Sequence, residues 1–130
     1  MTKEKLEIYK CEICGNLVQV LLTGAGELVC CNQPMTLQNI QHDKSDLGEK
    51  HAPVVETHDD KKIVQVKSHP MLKEHYIQFI EVIDKNKNEV HLKYFEPETL
   101  PEFDISCLND DIKAIEFCNI HGLWGENNND

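Results

Sequence analysis

No stretch of this 130-residue chain approaches the roughly 18 consecutive apolar residues of a membrane-spanning helix, so a membrane partner is not expected. Apolar residues sustained at 3.6-residue spacing are missing too, which argues against an architecture of amphipathic helices. Met1-Thr2-Lys3-Glu4-Lys5 leads into no long apolar run, so neither a secretory leader nor a secreted disulfide framework is expected. Positive charge is scarce: 13 Lys and Arg stand against 23 Asp and Glu, a net charge of -10. Such a chain repels polyanions, and nucleic acid is excluded as a partner. There is no internal repeat, and the only biased segment is the acidic, Asn-rich tail from Glu126 to Asp130, where fraying is expected.

What is present is period-two alternation. Lys62-Ile63-Val64-Gln65-Val66-Lys67 and Ile112 to Cys118 read as strands. From Tyr76 to Ile83 apolar residues fall on both parities, so both faces of that strand are expected to be buried. Val90, Leu92 and Tyr94 are expected to face inward, with Glu89, His91 and Lys93 outward. Asp84-Lys85-Asn86-Lys87-Asn88 reads as a hairpin loop, and Glu96-Pro97-Glu98-Thr99-Leu100-Pro101 as another loop. Several short strands with such turns predict an antiparallel sandwich. Nearer the N-terminus, Leu17 to Leu22 and Glu27 to Val29 flank Thr23-Gly24-Ala25-Gly26 and predict a hairpin. The length accommodates a small metal-stapled segment followed by a domain of about 90 residues.

Six cysteines in a chain without an evident leader point to metal-bound thiolates in a reducing cytoplasm. Cys11-Glu12-Ile13-Cys14 is followed by the adjacent pair Cys30-Cys31. Four thiolates suit a tetrahedral site for zinc or a single iron, and spacing alone leaves both open. Neighbouring strand residues point to opposite faces, so Cys30 and Cys31 converge only if the chain turns there. Asn32-Gln33-Pro34 supplies turn chemistry. A second constellation closes the chain: Cys118-Asn119-Ile120-His121 places a thiol and an imidazole three residues apart. Upstream lie His51, His69 and His75 in tight polar contexts, and Pro70 restricts His69 to extended geometry. One Cys and four His exceed a closed tetrahedral zinc site by one ligand. Five protein ligands on a divalent metal leave room for one exogenous ligand, which reads as redox chemistry.

Taken in order, these segments resemble desulfoferrodoxin, the two-iron class of superoxide reductase. Residues 1–38 look like the desulforedoxin domain through Cys11, Cys14, Cys30 and Cys31. Residues 39–130, with 39–48 as linker, look like the catalytic domain. That match runs through Glu49-Lys50-His51, His69-Pro70-Met71, Glu74-His75-Tyr76-Ile77 and Cys118-Asn119-Ile120-His121-Gly122-Leu123-Trp124. The resemblance implies an all-β chain: a small desulforedoxin-like domain, then an immunoglobulin-like antiparallel β-sandwich. It implies two iron ions per chain. One is a tetrahedral rubredoxin-like iron on the four cysteines. The other is a ferrous centre with His51, His69, His75 and His121 around it and Cys118 thiolate on its axis. Thiolate ligation favours donating an electron to superoxide and releasing hydrogen peroxide.

The resemblance further implies a rubredoxin-like electron donor and a homodimer. Superoxide is an anion, and the chain as a whole repels it. Lys50, next to His51, is therefore expected to attract it locally and help deliver protons, since charge is screened over about 8 Å at physiological salt. Glu49 is expected to occupy the open position in the oxidised resting state. The rival reading is a non-catalytic iron electron carrier or metal-binding module, whose closed site would not respond to cyanide or azide. His58 and His91 are read as surface residues, His42 as a linker residue, Trp124 as packing, and Cys107 as a thiol packed like a small hydrophobe.

Overall fold

The computed structural model describes residues 4–42, 51–67, 69–108 and 111–126. The chain divides into two compact units, Met1–Asn39 and Ile40–Asp130.

The first unit is held by very short strands: β1 (Ile8–Lys10), β2 (Leu17–Gln19), β3 (Val29–Cys30), β4 (Gln33–Pro34) and β5 (Thr36–Leu37). A three-stranded antiparallel sheet runs β2-β1-β5, and β3 pairs separately with β4. The hairpin expected between Leu17–Leu22 and Glu27–Val29 does not form: β2 pairs with β1 and β3 with β4. The reason lies in the turns. Cys31 and Asn32 both have positive φ, 52° and 64°, the signature of a two-residue type I′ turn, which closes Cys30 onto Gln33. The turn is thus one residue earlier than Asn32-Gln33-Pro34, and Gln33 and Pro34 are strand residues. Among the described apolar residues of this unit only Ile8, Cys11 and Val20 are fully buried, while Ile13, Leu21, Leu22 and Val29 are exposed.

The second unit is a sandwich. Its strands are β6 (Val54–His58), β7 (Lys61–Gln65), β8 (Ile77–Asp84), β9 (Val90–Tyr94), β10 (Glu102–Asp104), β11 (Ile112–Cys118) and β12 (Gly122–Gly125). One sheet runs β10-β7-β6 and the other β12-β11-β8-β9, with every pairing antiparallel. Val64 and Val66 from one layer meet Ile77, Ile80, Val82 and Ala114 from the other, closed at the ends by Phe95 and Ile105. Burying such side chains contributes about 1.5–3 kcal/mol each. Strand β8 is buried on both faces, from Ile77 to Ile83 except for half-buried Gln78. Among the described residues no helix is long and apolar enough to cross a membrane.

Strand β9 reverses its expected parity. The pairs Ile80↔Lys93 and Val82↔His91 put Lys93 and His91 on the core-facing side, and Val90, Leu92 and Tyr94 are exposed. β9 is an edge strand, so long polar side chains on its inner face can run past the edge to water. Gln41 and His42, read as linker, belong to the second unit. Gln41 bridges in parallel to Trp124, and the His42 ring lies 2.9 Å from the Glu126 carbonyl. Residues 43–48 of that linker lie outside the described residues.

Candidate metal centres

The four cysteines converge because two tight turns face one another. After β1 the chain reverses through Cys11–Asn16: the Gly15 N–H donates to the Cys11 carbonyl at 2.9 Å, and the Cys11 N–H to the Asn16 carbonyl at 2.9 Å. Gly15 has φ +85°, which a side chain would strain. The Cys14 N–H points at Cys11 Sγ, 3.5 Å away. Opposite, Cys30 closes β3 and Cys31 opens the type I′ turn, so two adjacent sulfurs share one side, 3.9 Å apart. Cys14 and Cys30 Sγ are 3.5 Å apart, and all four sulfurs lie within 4.8 Å of one another. Four sulfurs bound tetrahedrally at about 2.3 Å are spaced by roughly 3.8 Å, so the group fits a metal.

Electrostatics agree. The Cys14 N–H is the largest influence drawing the Cys11 thiol down, to about 6. Cys31 is pushed up to about 12, first by Cys11 and then by Cys14 and Cys30. One thiolate forms readily and opposes the others; a cation is what lets all four ionise.

The second group lies in the sandwich unit. His51 precedes β6, His69 and His75 lie on the segment between β7 and β8, Cys118 ends β11, and His121 sits in the turn to β12. The four imidazoles form a closed ring. Centroids are 4.6 Å apart for His51–His69 and His69–His75, and 4.9 Å for His75–His121 and His51–His121. The His51–His75 diagonal is 6.3 Å, and each ring meets its neighbours edge-on. Cys118 Sγ is buried 3.3 Å from His69 Nε2, and the donor atoms of His51, His69, His75 and Cys118 lie within 4.8 Å of one another. His121 joins through Nδ1, 3.0 Å from His51 Nε2.

Surrounding groups aim these donors. His51 Nδ1 lies 3.1 Å from Glu116 Oε2, with both residues buried, so Nε2 faces inward. His69 Nδ1 lies 2.6 Å from the Pro70 carbonyl oxygen, to which it donates, leaving Nε2 toward Cys118. Trp124 stacks on His51 at 4.8 Å and 10°, and its indole N–H donates to the His121 carbonyl at 3.1 Å. The Gln41 amide donates to the carbonyls of His121 and Leu123 at 2.9 and 3.2 Å. Such outer partners orient ligands and tune a metal.

Burial, then the neighbouring imidazoles, pulls His51 down to about 3. Burial is also the largest influence on His69, lowered to about 4, and on His75. These rings are neutral at physiological pH, the state a metal requires. Burial raises the Cys118 thiol, opposed by the N–H groups of His121 and Ile120. A coordinated metal reverses that preference. The sharpest sign of fit is His75 Nε2, a buried nitrogen with no hydrogen-bond partner. Leaving such a group unpaired costs about 1–3 kcal/mol, and a metal inside the ring removes the deficit.

All nine residues read as ligands from the sequence thus fall into two groups. Glu49 and Lys50 lie outside the described residues. Sequence reasoning misses Glu116 and Gln41 and takes Trp124 for packing alone. The one available signal is Glu116 itself, a carboxylate amid the apolar residues of β11. His58 is exposed, 4.0 Å from Glu56 Oε2. His91 is half-buried. Cys107 is exposed, contrary to its expected packing, because it lies in the turn after β10.

Residues 3–38 match the family described as Desulfoferrodoxin, N-terminal domain, and residues 43–127 match Desulfoferrodoxin. A desulfoferrodoxin from Syntrophotalea carbinolica is 47% identical over 123 residues, covering 93% of this chain and 95% of that protein. A desulforedoxin from Megalodesulfovibrio gigas is 53% identical over 32 residues, covering 25% of this chain and 86% of that protein. The crystal structure of the superoxide reductase from Treponema pallidum is similar with a TM-score of 0.66 and 27% identity, over 93% of this chain and 96% of that one. With both of its units matched in order, the chain belongs to the desulfoferrodoxin family.

Proposed function

We propose that this chain is a superoxide reductase: one superoxide, one electron and two protons become one hydrogen peroxide, with no dioxygen released. The observation that carries the reading is the closed ring of four imidazoles beside the buried Cys118 thiol. His51, His69, His75, His121 and Cys118 would hold one iron, and Cys11, Cys14, Cys30 and Cys31 the other. Bound in the ferrous state at the histidine site, iron supplies the single electron. The protein's own share is to keep the His51, His69 and His75 imidazoles neutral through burial, to aim His51 through Glu116, and to wall off one side of the ring with Trp124. Lys50 attracts the anionic substrate and relays protons through water, and Glu49 protects the oxidised centre.

Residues 1–38 serve as the electron-transfer domain and 39–130 as the catalytic one. An external rubredoxin-like protein in the cytoplasm restores the ferrous state. A homodimer is supported by the exposed Ile13, Leu21, Leu22 and Val29 of the first unit, whose own core is small.

Rapid mixing of the reduced, iron-loaded protein with superoxide tests the reading. One peroxide per superoxide without dioxygen is expected. Half a peroxide per superoxide together with dioxygen means dismutation, and no reaction, with an iron spectrum indifferent to azide, means a non-catalytic module.

A further inference from the structure

We propose that Asn119 is a positioning residue that aims His75 into the ring; the consequence for catalysis rests on the reading above, the metal-binding consequence does not. Asn119 follows Cys118, where the β8–β11 ladder is irregular: Phe117 pairs with Phe79, but Cys118 pairs with Ile77. Beyond that irregularity the Asn119 side chain takes over the pairing. Its Oδ1 accepts from the Tyr76 N–H at 2.9 Å, and its Nδ2 donates to the Glu74 carbonyl at 3.1 Å. The Asn119 N–H itself donates to the Tyr76 carbonyl at 3.2 Å. The residues immediately before and after His75 are thus both held by one residue.

The His75 backbone is occupied as well. Its N–H donates to the Leu72 carbonyl at 3.1 Å, and its carbonyl accepts from the Leu72 N–H at 2.9 Å. His51 and His69 are aimed through their own ring nitrogens, by Glu116 and the Pro70 carbonyl. Among the described residues no such hydrogen bond reaches the His75 ring. Its direction comes from its backbone, and Asn119 is the side chain that ties that backbone to the turn carrying Cys118 and His121. An asparagine serving only its own turn bonds residues a few positions away; Asn119 reaches partners 43 and 45 positions distant.

A double-mutant cycle on Co(II) affinity tests this without turnover. One equivalent of cadmium first fills the four-thiolate site, which favours soft metals. Cobalt is then titrated into wild type, Asn119→Ala, His75→Ala and the double variant. Loss of an outer-sphere partner typically weakens a metal by roughly 10- to 100-fold, and that loss is expected for Asn119→Ala, with a shifted cobalt spectrum. In the His75→Ala background the same change should cost about twofold or less, because the coupled group is gone. An equal loss in both backgrounds would overturn the proposal and mark Asn119 as a general structural residue.

If Asn119→Ala fails to fold, Asn119→Asp keeps the acceptor for Tyr76 and removes only the donor to Glu74. Its added charge is common to both backgrounds and cancels in the cycle. A smaller loss that still disappears without His75 is expected; a loss unaffected by His75 again overturns the proposal. Superoxide kinetics on the iron-loaded wild type separate the two readings: failure there sinks the reductase and leaves the cobalt cycle standing.

Discussion

The four-cysteine group and the histidine ring gather their ligands in opposite ways. In the first unit, two turns close in sequence bring the sulfurs together, and backbone N–H groups orient them. Little else is buried there beyond Ile8, Cys11 and Val20. In the sandwich unit, five candidate ligands arrive from three separate segments and are aimed by buried side chains and carbonyls on a core that spans two sheets. The difference is one of direction: the first unit, with so few buried side chains, is expected to depend on its metal for folding, whereas the second has a core of its own on which to hold one.

Removing a ligand from the ring puts the sharpest strain on this contrast. Cys118→Ser replaces a soft donor by a poor one. The thiolate-to-iron band of the catalytic site should vanish, and activity should fall by more than the roughly 10- to 100-fold typical of an outer-sphere loss. The sandwich should still melt cooperatively. Retention of band and activity would remove Cys118 from the ligand set.

The mirror experiment is Cys14→Ser, or selective removal of the four-thiolate metal. Amide exchange should rise across residues 4–39 while the sandwich stays protected, and a pre-reduced catalytic iron should react with superoxide nearly as before. A loss of single-turnover reactivity would mean that the units are not independent.

Glu116 probes how far the ring depends on its surroundings. Glu116→Gln keeps an acceptor on His51 Nδ1 and should preserve stability while shifting the iron spectrum. Glu116→Ala leaves that nitrogen unpaired in a dry site, a cost of about 1–3 kcal/mol, and should weaken metal binding by roughly 10- to 100-fold. Equal behaviour of the two variants in thermal melts and metal titration would deny Glu116 an orienting role.

The smallest effect is expected at Lys50. Local charge changes association rates by roughly 10- to 1,000-fold, and a single lysine belongs at the low end, about tenfold for Lys50→Ala. Because salt screens attraction, it should slow the wild type more than the variant. Identical salt dependence in stopped-flow measurements would dismiss the steering role.

Much of the candidate site is legible in the residues alone. Cys11-Glu12-Ile13-Cys14 followed by Cys30-Cys31 makes a metal site legible because four thiolates suit one tetrahedral ion. The adjacent Cys30 and Cys31 require a turn, but the residues that adopt positive φ are Cys31 and Asn32. Turn propensity over Asn32-Gln33-Pro34 does not show this, because cysteine rarely occupies that conformation. The parity of β9 escapes a local reading for a related reason. Alternation identifies two faces, but which one meets the core depends on the register with β8 and on β9 being an edge.

The sequence by itself determined which residues are candidate ligands, the β character and the order of a cysteine-rich start before a histidine-bearing remainder. Those follow from side-chain chemistry and from local periodicity, which each residue carries with it. Only the tertiary structure decided what aims the ligands. Glu116 reaches His51 across 65 positions, Asn119 reaches Tyr76 across 43, and Gln41 reaches the His121 carbonyl across 80. No local pattern encodes such pairs; they exist because antiparallel strands, stacked as a sandwich, return distant segments to the same end of one core.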